Sequence, residues 1–131
     1  MGPNIQQSVR FRTSPQTLYD LYLDSKKHSR ATGAPAKLSG KVGGNFTAFG
    51  KKLEGKILFL ARGKQIVQVW RASHWKKEDW SILVLNFSKV AGGAQVDLVH
   101  IGVPQYDQSG VREGWPKYYW RPWKKYLSKE K

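Results

Sequence analysis

The stretch 115–127 sets the strongest limit on what this chain can fold into. At about 100° per residue, Trp115, Tyr119, Trp120, Trp123, Tyr126 and Leu127 fall within roughly a 140° arc, opposite Lys117, Arg121 and Lys124. A helix with so broad an aromatic face must bury it, so the rest of the chain must supply an apolar surface of matching breadth. Pro116 suits the first turn of such a helix. Pro122 lies inside it, removes one backbone hydrogen bond and predicts a bend there.

The receiving surface reads as a sheet. β-rich runs cover residues 45–49, 53–61, 65–71, 80–89 and 94–103. They are punctuated by Gly43-Gly44, Gly50, Arg62-Gly63-Lys64, a polar loop from Ser73 to Asp79, and Ala91-Gly92-Gly93, which is the spacing of an antiparallel meander. Upstream, residues 5–13 alternate Ile5, Gln7, Val9 and Phe11 against Gln6, Ser8, Arg10 and Arg12, a strand with one wet face. Ser14 then offers an N-cap, Pro15 a first helical position, and Leu18, Leu21 and Tyr22 a helical spacing to about Leu23. Residues 24–33 are polar and suit a second helical turn, after which Pro35 and Gly40 break regular structure. Strand, helix, five or six strands and a long helix make an α+β plan, a curved antiparallel sheet wrapped around a C-terminal helix. The 131 residues match one domain, 1–131.

Composition narrows the chemistry. Without cysteine there is no disulfide, thiolate catalysis or Cys-based zinc site, and a reducing compartment is compatible. The first residues lack a basic segment followed by an apolar one, and the longest apolar runs, 57–61 and 82–85, are far too short to span a bilayer. A cytoplasmic location is expected. Asn45-Phe46-Thr47 and Asn86-Phe87-Ser88 are accordingly strand residues without sugar. The net charge of +14 favours polyanions, anionic surfaces or acidic proteins, but the lysine doublets are spread along the whole chain, which describes a solvated surface first.

No catalytic motif emerges. Gly50 to Lys56 approaches a phosphate loop, yet Ile57 stands where Ser or Thr must hold magnesium, and a turn leads there into a strand. His28, His74 and His100 lack metal-ligand spacing, so no metal or cofactor is assigned. Carboxylates are isolated apart from Glu78-Asp79, and there is no Gly-x-Ser-x-Gly elbow, so no catalytic residue is assigned and the balance lies against an enzyme. Alternation places His100 with Val96 and Leu98 on an apolar face, as a hydrogen-bonded core histidine ahead of a ligand contact.

Several ordered blocks carry a resemblance: Phe11-Arg12-Thr13-Ser14-Pro15-Gln16-Thr17-Leu18-Tyr19, Gly43-Gly44-Asn45-Phe46, Gly55-Lys56-Ile57, Ile66-Val67-Gln68-Val69-Trp70-Arg71 and Gly114-Trp115-Pro116-Lys117-Tyr118-Tyr119-Trp120. From about Ile5 to Leu127 the chain resembles the activator of heat-shock protein 90 ATPase homologue family, within the START-like or SRPBCC superfamily. The resemblance implies a helix-grip fold with a cavity between sheet and terminal helix. Candidate lining residues are Phe46, Ile57, Trp70, Leu85, Leu98, His100, Trp115 and Tyr119, with Gln68 or His100 as polar anchors.

Three functions follow from the resemblance. The first is a non-enzymatic module that holds an apolar small molecule or lipid in the cavity, gated by the terminal helix and loops. The second is a co-chaperone-like interaction protein that binds heat-shock protein 90 and modulates its ATPase; charge alone, and not the resemblance, selects Lys26, Lys27, Lys51, Lys52 and Lys56 to steer the encounter. Eukaryotic activators resemble this chain only in their C-terminal domain, so full ATPase activation is not implied. A polyketide-cyclase-like enzyme is the third, allowed by the superfamily but lacking an acid and base pair. Single-stranded nucleic acid ranks behind these, because most aromatics fall on the buried arc; an exposed Trp75 beside Lys76 and Lys77 would favour it.

Overall fold

The structure, a computed structural model, describes residues 4–129. Among them seven strands form one antiparallel sheet, and each element has a local cause. β1 (Ile5–Phe11) alternates between buried and exposed positions as its sequence does. α1 (Pro15–Leu23) starts on Ser14, whose Oγ accepts the Thr17 N–H. α2 (Ser25–Thr32) starts on Asp24, which accepts the Lys27 N–H, and stops at Gly33, whose φ of 78° few other residues tolerate.

The strands β2 (Ala36–Leu38), β3 (Asn45–Ala48), β4 (Leu53–Ala61), β5 (Gln65–Ala72), β6 (Ser81–Val90) and β7 (Gly93–Ile101) follow. The sheet order is β1-β7-β6-β5-β4-β3-β2, so only β1 departs from a plain meander. The expected runs appear with ends moved by one or two residues. β2 was not expected, because Pro35 and Gly40 flank it; side chains of α2 hold it, as described below. In β4 the register shifts between Ile57 and Phe59, a bulge that helps to curve the sheet.

The terminal helix begins earlier than its aromatic face suggests. A turn at Gln105–Asp107 leads into α3 (Gln108–Trp115), a π-helical turn at Pro116–Trp120, and α4 (Arg121–Lys129). Pro116 therefore lies inside the helical run and not in its first turn. Neither Pro116 nor Pro122 has an N–H to donate. Between them the Arg121 N–H reaches back five residues to the Pro116 carbonyl, so the break expected within the helix falls between the two prolines, with Pro122 in the first turn of α4.

The run lies across the inner face of the sheet. Trp115 stacks on Trp120 at 5.5 Å, and Trp123 meets Phe11 of β1 at 5.8 Å. Trp115, Tyr119, Trp120 and Trp123 are all buried. Each aromatic removes on the order of 200 Å² from water, a gross gain of roughly 5 kcal/mol at about 25 cal/mol/Å². These four side chains thus anchor the helix to the sheet. Trp75, expected to favour nucleic acid if exposed, is also buried, at 3%. Its indole N–H donates to Asp107, so it offers no stacking surface for a base.

Candidate functional site

Where α3 leaves the sheet, a gap opens between it and the ends of β4 and β5. The cleft beneath has a volume of about 470 Å³. Trp70 and Ala72 of β5, Leu53 of β4, and Val111, Trp115, Tyr118 and Tyr119 of the helical run form its walls. Gly114 contributes space: a Cβ there would meet only the Tyr118 ring, at 3.6 Å. Phe49 closes one side, edge-on to Tyr118 and to Tyr119, at 5.6 Å in each case. Its φ of 53° is rare for a bulky residue, and the β3–β4 turn holds it there at a cost of about 1–2 kcal/mol.

The rim is polar, with Lys52, Ser73, His74 and Asp107. Asp107 accepts the Trp75 indole N–H at 2.7 Å and lies 3.2 Å from His74 Nε2, tying the loop after β5 to the start of α3. Arg71 fixes that loop from below. Its guanidinium donates to the carbonyls of Trp75, Lys76 and Asp79 and pairs with Glu54 at 3.0 Å. In the wall, the Trp70 indole N–H is buried and finds no acceptor among the described residues.

Two buried histidines stand behind the aromatic wall, and hydrogen bonding sets the tautomer of each. His28 Nδ1 lies 2.6 Å from the Tyr22 carbonyl, which can only accept, so Nδ1 carries the proton. Nε2 is then an acceptor for the Tyr119 hydroxyl at 3.0 Å. Ser81 Oγ donates to the Trp70 carbonyl at 2.6 Å, so His100 Nε2 must donate to Ser81, at 2.8 Å. That leaves His100 Nδ1 to accept the Trp115 indole N–H at 3.2 Å. Burial pushes His28 down to about 4 and His100 down to about 3, so both are neutral near neutrality. Burial also raises the Tyr22 and Tyr119 hydroxyls. Each histidine pins one aromatic of the cleft, and neither has a free nitrogen for proton transfer to a ligand.

The candidate residues separate into distinct places. Trp70, Trp115 and Tyr119 come together in the cleft wall. His100 lies behind Trp115, and Gln68 is buried, its Oε1 accepting the Tyr22 hydroxyl at 2.7 Å. Ile57, Leu85 and Leu98 are fully buried and absent from the cleft wall. Phe46 is buried too and borders a separate hollow with Lys56, Val69 and Trp80. Among the charge-based guesses, only Lys52 reaches the cleft. The described residues contain no cluster of His, Asp and Glu suited to a metal, and no helix long and apolar enough to cross a membrane.

Residues 12–128 match the family model described as Activator of Hsp90 ATPase homolog 1-like protein. The chain belongs to this family. The human activator of 90 kDa heat shock protein ATPase homolog 1 is 29% identical over 109 residues, covering 83% of this chain and 32% of the human protein. The corresponding activator of Dictyostelium discoideum is 30% identical over 109 residues, 82% of this chain and 28% of that protein. The chain thus spans about a third of the length of these curated relatives.

Among solved structures, an HSP90 activator from Plasmodium falciparum superposes with a TM-score of 0.89 at 21% identity, covering 97% of both chains. A Mesorhizobium loti protein superposes with a TM-score of 0.84 at 14% identity, covering 98% of this chain and 99% of that one. At such identities the likeness establishes a shared fold: the α+β helix-grip architecture expected from the sequence. In this family member the apolar wall residues that sequence reasoning missed are Phe49, Leu53, Ala72, Val111 and Tyr118, along with Ser73, His74 and Asp107 at the rim. A usable signal existed in Gly110 and Gly114, spaced one helical turn apart ahead of the aromatic face.

Proposed function

We propose that this domain is a non-catalytic binding module that seats an apolar group, from a small molecule or lipid, in the cleft beside α3. The supporting observation is an aromatic-walled cleft of about 470 Å³ bordered by Trp70, whose buried indole N–H has no acceptor among the described residues. A buried unpaired donor costs about 1–3 kcal/mol, and a ligand acceptor that reaches the N–H through a small turn of the Trp70 ring would recover much of that. Apolar transfer supplies affinity, and the Trp70 N–H together with Lys52 supplies preference for a ligand with an oxygen acceptor. The strained Phe49 at the cleft side fits the same reading. A cytoplasmic location belongs to the proposal, supported by the absence of cysteine.

Gly114 provides the test. Glycine inside a helix is less stable than alanine by about 0.5–1 kcal/mol, and nothing obstructs a Cβ there, so Gly114→Ala is expected to raise stability by about that amount in urea titration. Gly114→Leu fills the cleft and is expected to abolish fluorescence enhancement of anilinonaphthalene sulfonate while the fold persists. Undiminished dye uptake by a folded Gly114→Leu variant would place the apolar site elsewhere.

A second reading, modulation of a heat-shock protein 90 ATPase, is favoured by the relatives, since those quoted from human, Dictyostelium and Plasmodium all bear the name of activators. The charge of +14 supports steering toward an acidic partner. Binding to purified heat-shock protein 90 that weakens with salt and survives Gly114→Leu would support this reading over the first.

A further inference from the structure

The sheet has two edges among the described residues, and they are treated in opposite ways. β2 ends the sheet on one side, and two serines of α2 close it. Ser29 Oγ takes the Ala36 N–H at 2.9 Å, and its single proton goes to the Ser25 carbonyl at 2.8 Å, with the Ala36 carbonyl a longer contact at 3.3 Å. One helical turn earlier, Ser25 Oγ takes the Leu38 N–H at 2.8 Å and donates to the Leu38 carbonyl at 3.1 Å. Both outward N–H groups of that short strand and the Leu38 carbonyl are therefore satisfied inside the chain, which blunts the edge as a pairing surface.

β1 ends the sheet on the other side and is seven residues long. It pairs with β7 alone, from Ile5 opposite His100 to Phe11 opposite Ala94. Alternate residues of an edge strand turn their N–H and C=O groups outward. No hydrogen bond from the β1 backbone to any element except β7 occurs among the described residues. Beside this open edge runs a groove of about 520 Å³, with Gln7 and Val9 of β1 on one wall and Pro116, Trp120, Arg121 and Lys124 on the other. Gln7 is held in place by accepting the Trp120 indole N–H at 2.7 Å and donating to the Arg112 carbonyl at 2.8 Å. The groove shares no lining residue with the cleft.

The fold also gathers charge that is dispersed in the sequence. Arg121 and Lys124 project from α4 along the groove, while Arg10 and Arg12 stand on the outer face of the β1 edge, so exposed cations flank the edge on both sides. The nearby carboxylate, Asp97 on β7, already accepts from Ser8 and Gln95. We propose that the β1 edge and its groove form a docking site for an extended acidic segment of a partner protein, which adds to the sheet as an eighth, antiparallel or parallel strand. The outward N–H and C=O groups of β1 pair with the segment's backbone, while its carboxylates meet Arg121 and Lys124. A nucleic acid fits less well, because its phosphates cannot donate to the outward carbonyls and Trp120 is buried at 4%. A second copy of this chain would bring another +14 to the same place.

The probe is a short, end-capped, fluorescein-labelled peptide of alternating valine and glutamate, tested on the full chain. Binding is expected, with slowed amide exchange confined to residues 5–11. The same peptide N-methylated on alternate residues keeps its charge but loses backbone donors, and is expected to bind at least about tenfold more weakly. R121E/K124E, both at exposed positions, should also weaken binding by about tenfold or more at low salt without lowering the melting temperature. Three results would overturn the proposal: no binding of the probe, equal binding of the N-methylated peptide, or exchange protection outside β1. Displacement of the probe by polyuridylate, with protection spread over α4 alone, would assign the groove to nucleic acid instead.

Discussion

Replacing Trp123 with alanine is expected to destabilise the protein by about 4 kcal/mol, within the range of about 3–5 seen for large aromatic truncations in cores. Trp123 is fully buried and touches four aromatic rings, Phe11, Tyr22, Tyr119 and Trp120, with centroid distances of 5.8, 6.4, 6.1 and 5.4 Å. It joins β1, α1 and the helical run at one point, so the hole left by alanine cannot close without moving all three. Against a typical net stability of about 5–15 kcal/mol, such a loss brings the domain near its unfolding threshold.

Trp123→Phe separates the contribution of volume from that of polarity. The Trp123 indole N–H is buried without an acceptor among the described residues. Phenylalanine gives up part of the packing but also removes that donor, whose burial costs about 1–3 kcal/mol. Its net effect is expected to stay below about 2 kcal/mol. Urea titrations of the three proteins at one pH supply the comparison. Equal losses in the alanine and phenylalanine variants would mean that the indole N–H is satisfied in solution and that its burial carries no penalty.

The same residues show what could be read before the structure. The aromatic arc from Trp115 to Leu127 was legible because helical period and apolar character coincide there. The meander was legible because each strand is bounded by glycine or polar turn residues. Both signals are local. The start of the terminal helix was not legible: residues 108–114 hold two glycines and Val111 as the one large apolar side chain, and tertiary contacts alone keep them helical. β2 was hidden for a similar reason, since three residues between Pro35 and Gly40 become a strand only when Ser25 and Ser29 satisfy their outer edge.

The candidate site was harder to read. Alternation shows which strand residues face inward, but it does not show where the helix stands away from the sheet. Inward residues at the sheet centre, such as Leu85 and Leu98, meet the core. Inward residues near the ends of β4 and β5, such as Leu53 and Trp70, line open space, which they share with Gly114. The position of that gap depends on one glycine and on the π-helical turn at Pro116–Trp120, which sets how Trp115 and Tyr119 face the sheet. Neither is encoded in hydrophobic period.

The largest response to solution conditions is expected on acidification. The folded protein holds His28 and His100 neutral, pushed down from the ordinary 6.5 to about 4 and about 3 by burial. The unfolded chain takes up a proton on each below about pH 6.5, so it binds more protons than the folded state, and stability must rise with pH across that interval. The contribution is fully present above about pH 6.5 and is lost as pH falls toward the folded values. By about pH 5 the two sites together are expected to remove roughly 4 kcal/mol, and by about pH 4 roughly 6. Protonation also sets donor against donor, at His28 Nε2 facing the Tyr119 hydroxyl and at His100 Nδ1 facing the Trp115 indole. Both partners line the cleft, so uptake of an apolar dye by the folded protein should hold down to about pH 5 and fall only as pH nears the folded values of about 4 and about 3. Urea midpoints measured between about pH 7 and about pH 5 give the slope, and the variants H28Q and H100Q each should flatten it by about half. If the double variant keeps the full slope, the pH dependence arises from the general positive charge of the surface, and the neutral histidines do not control the aromatic wall.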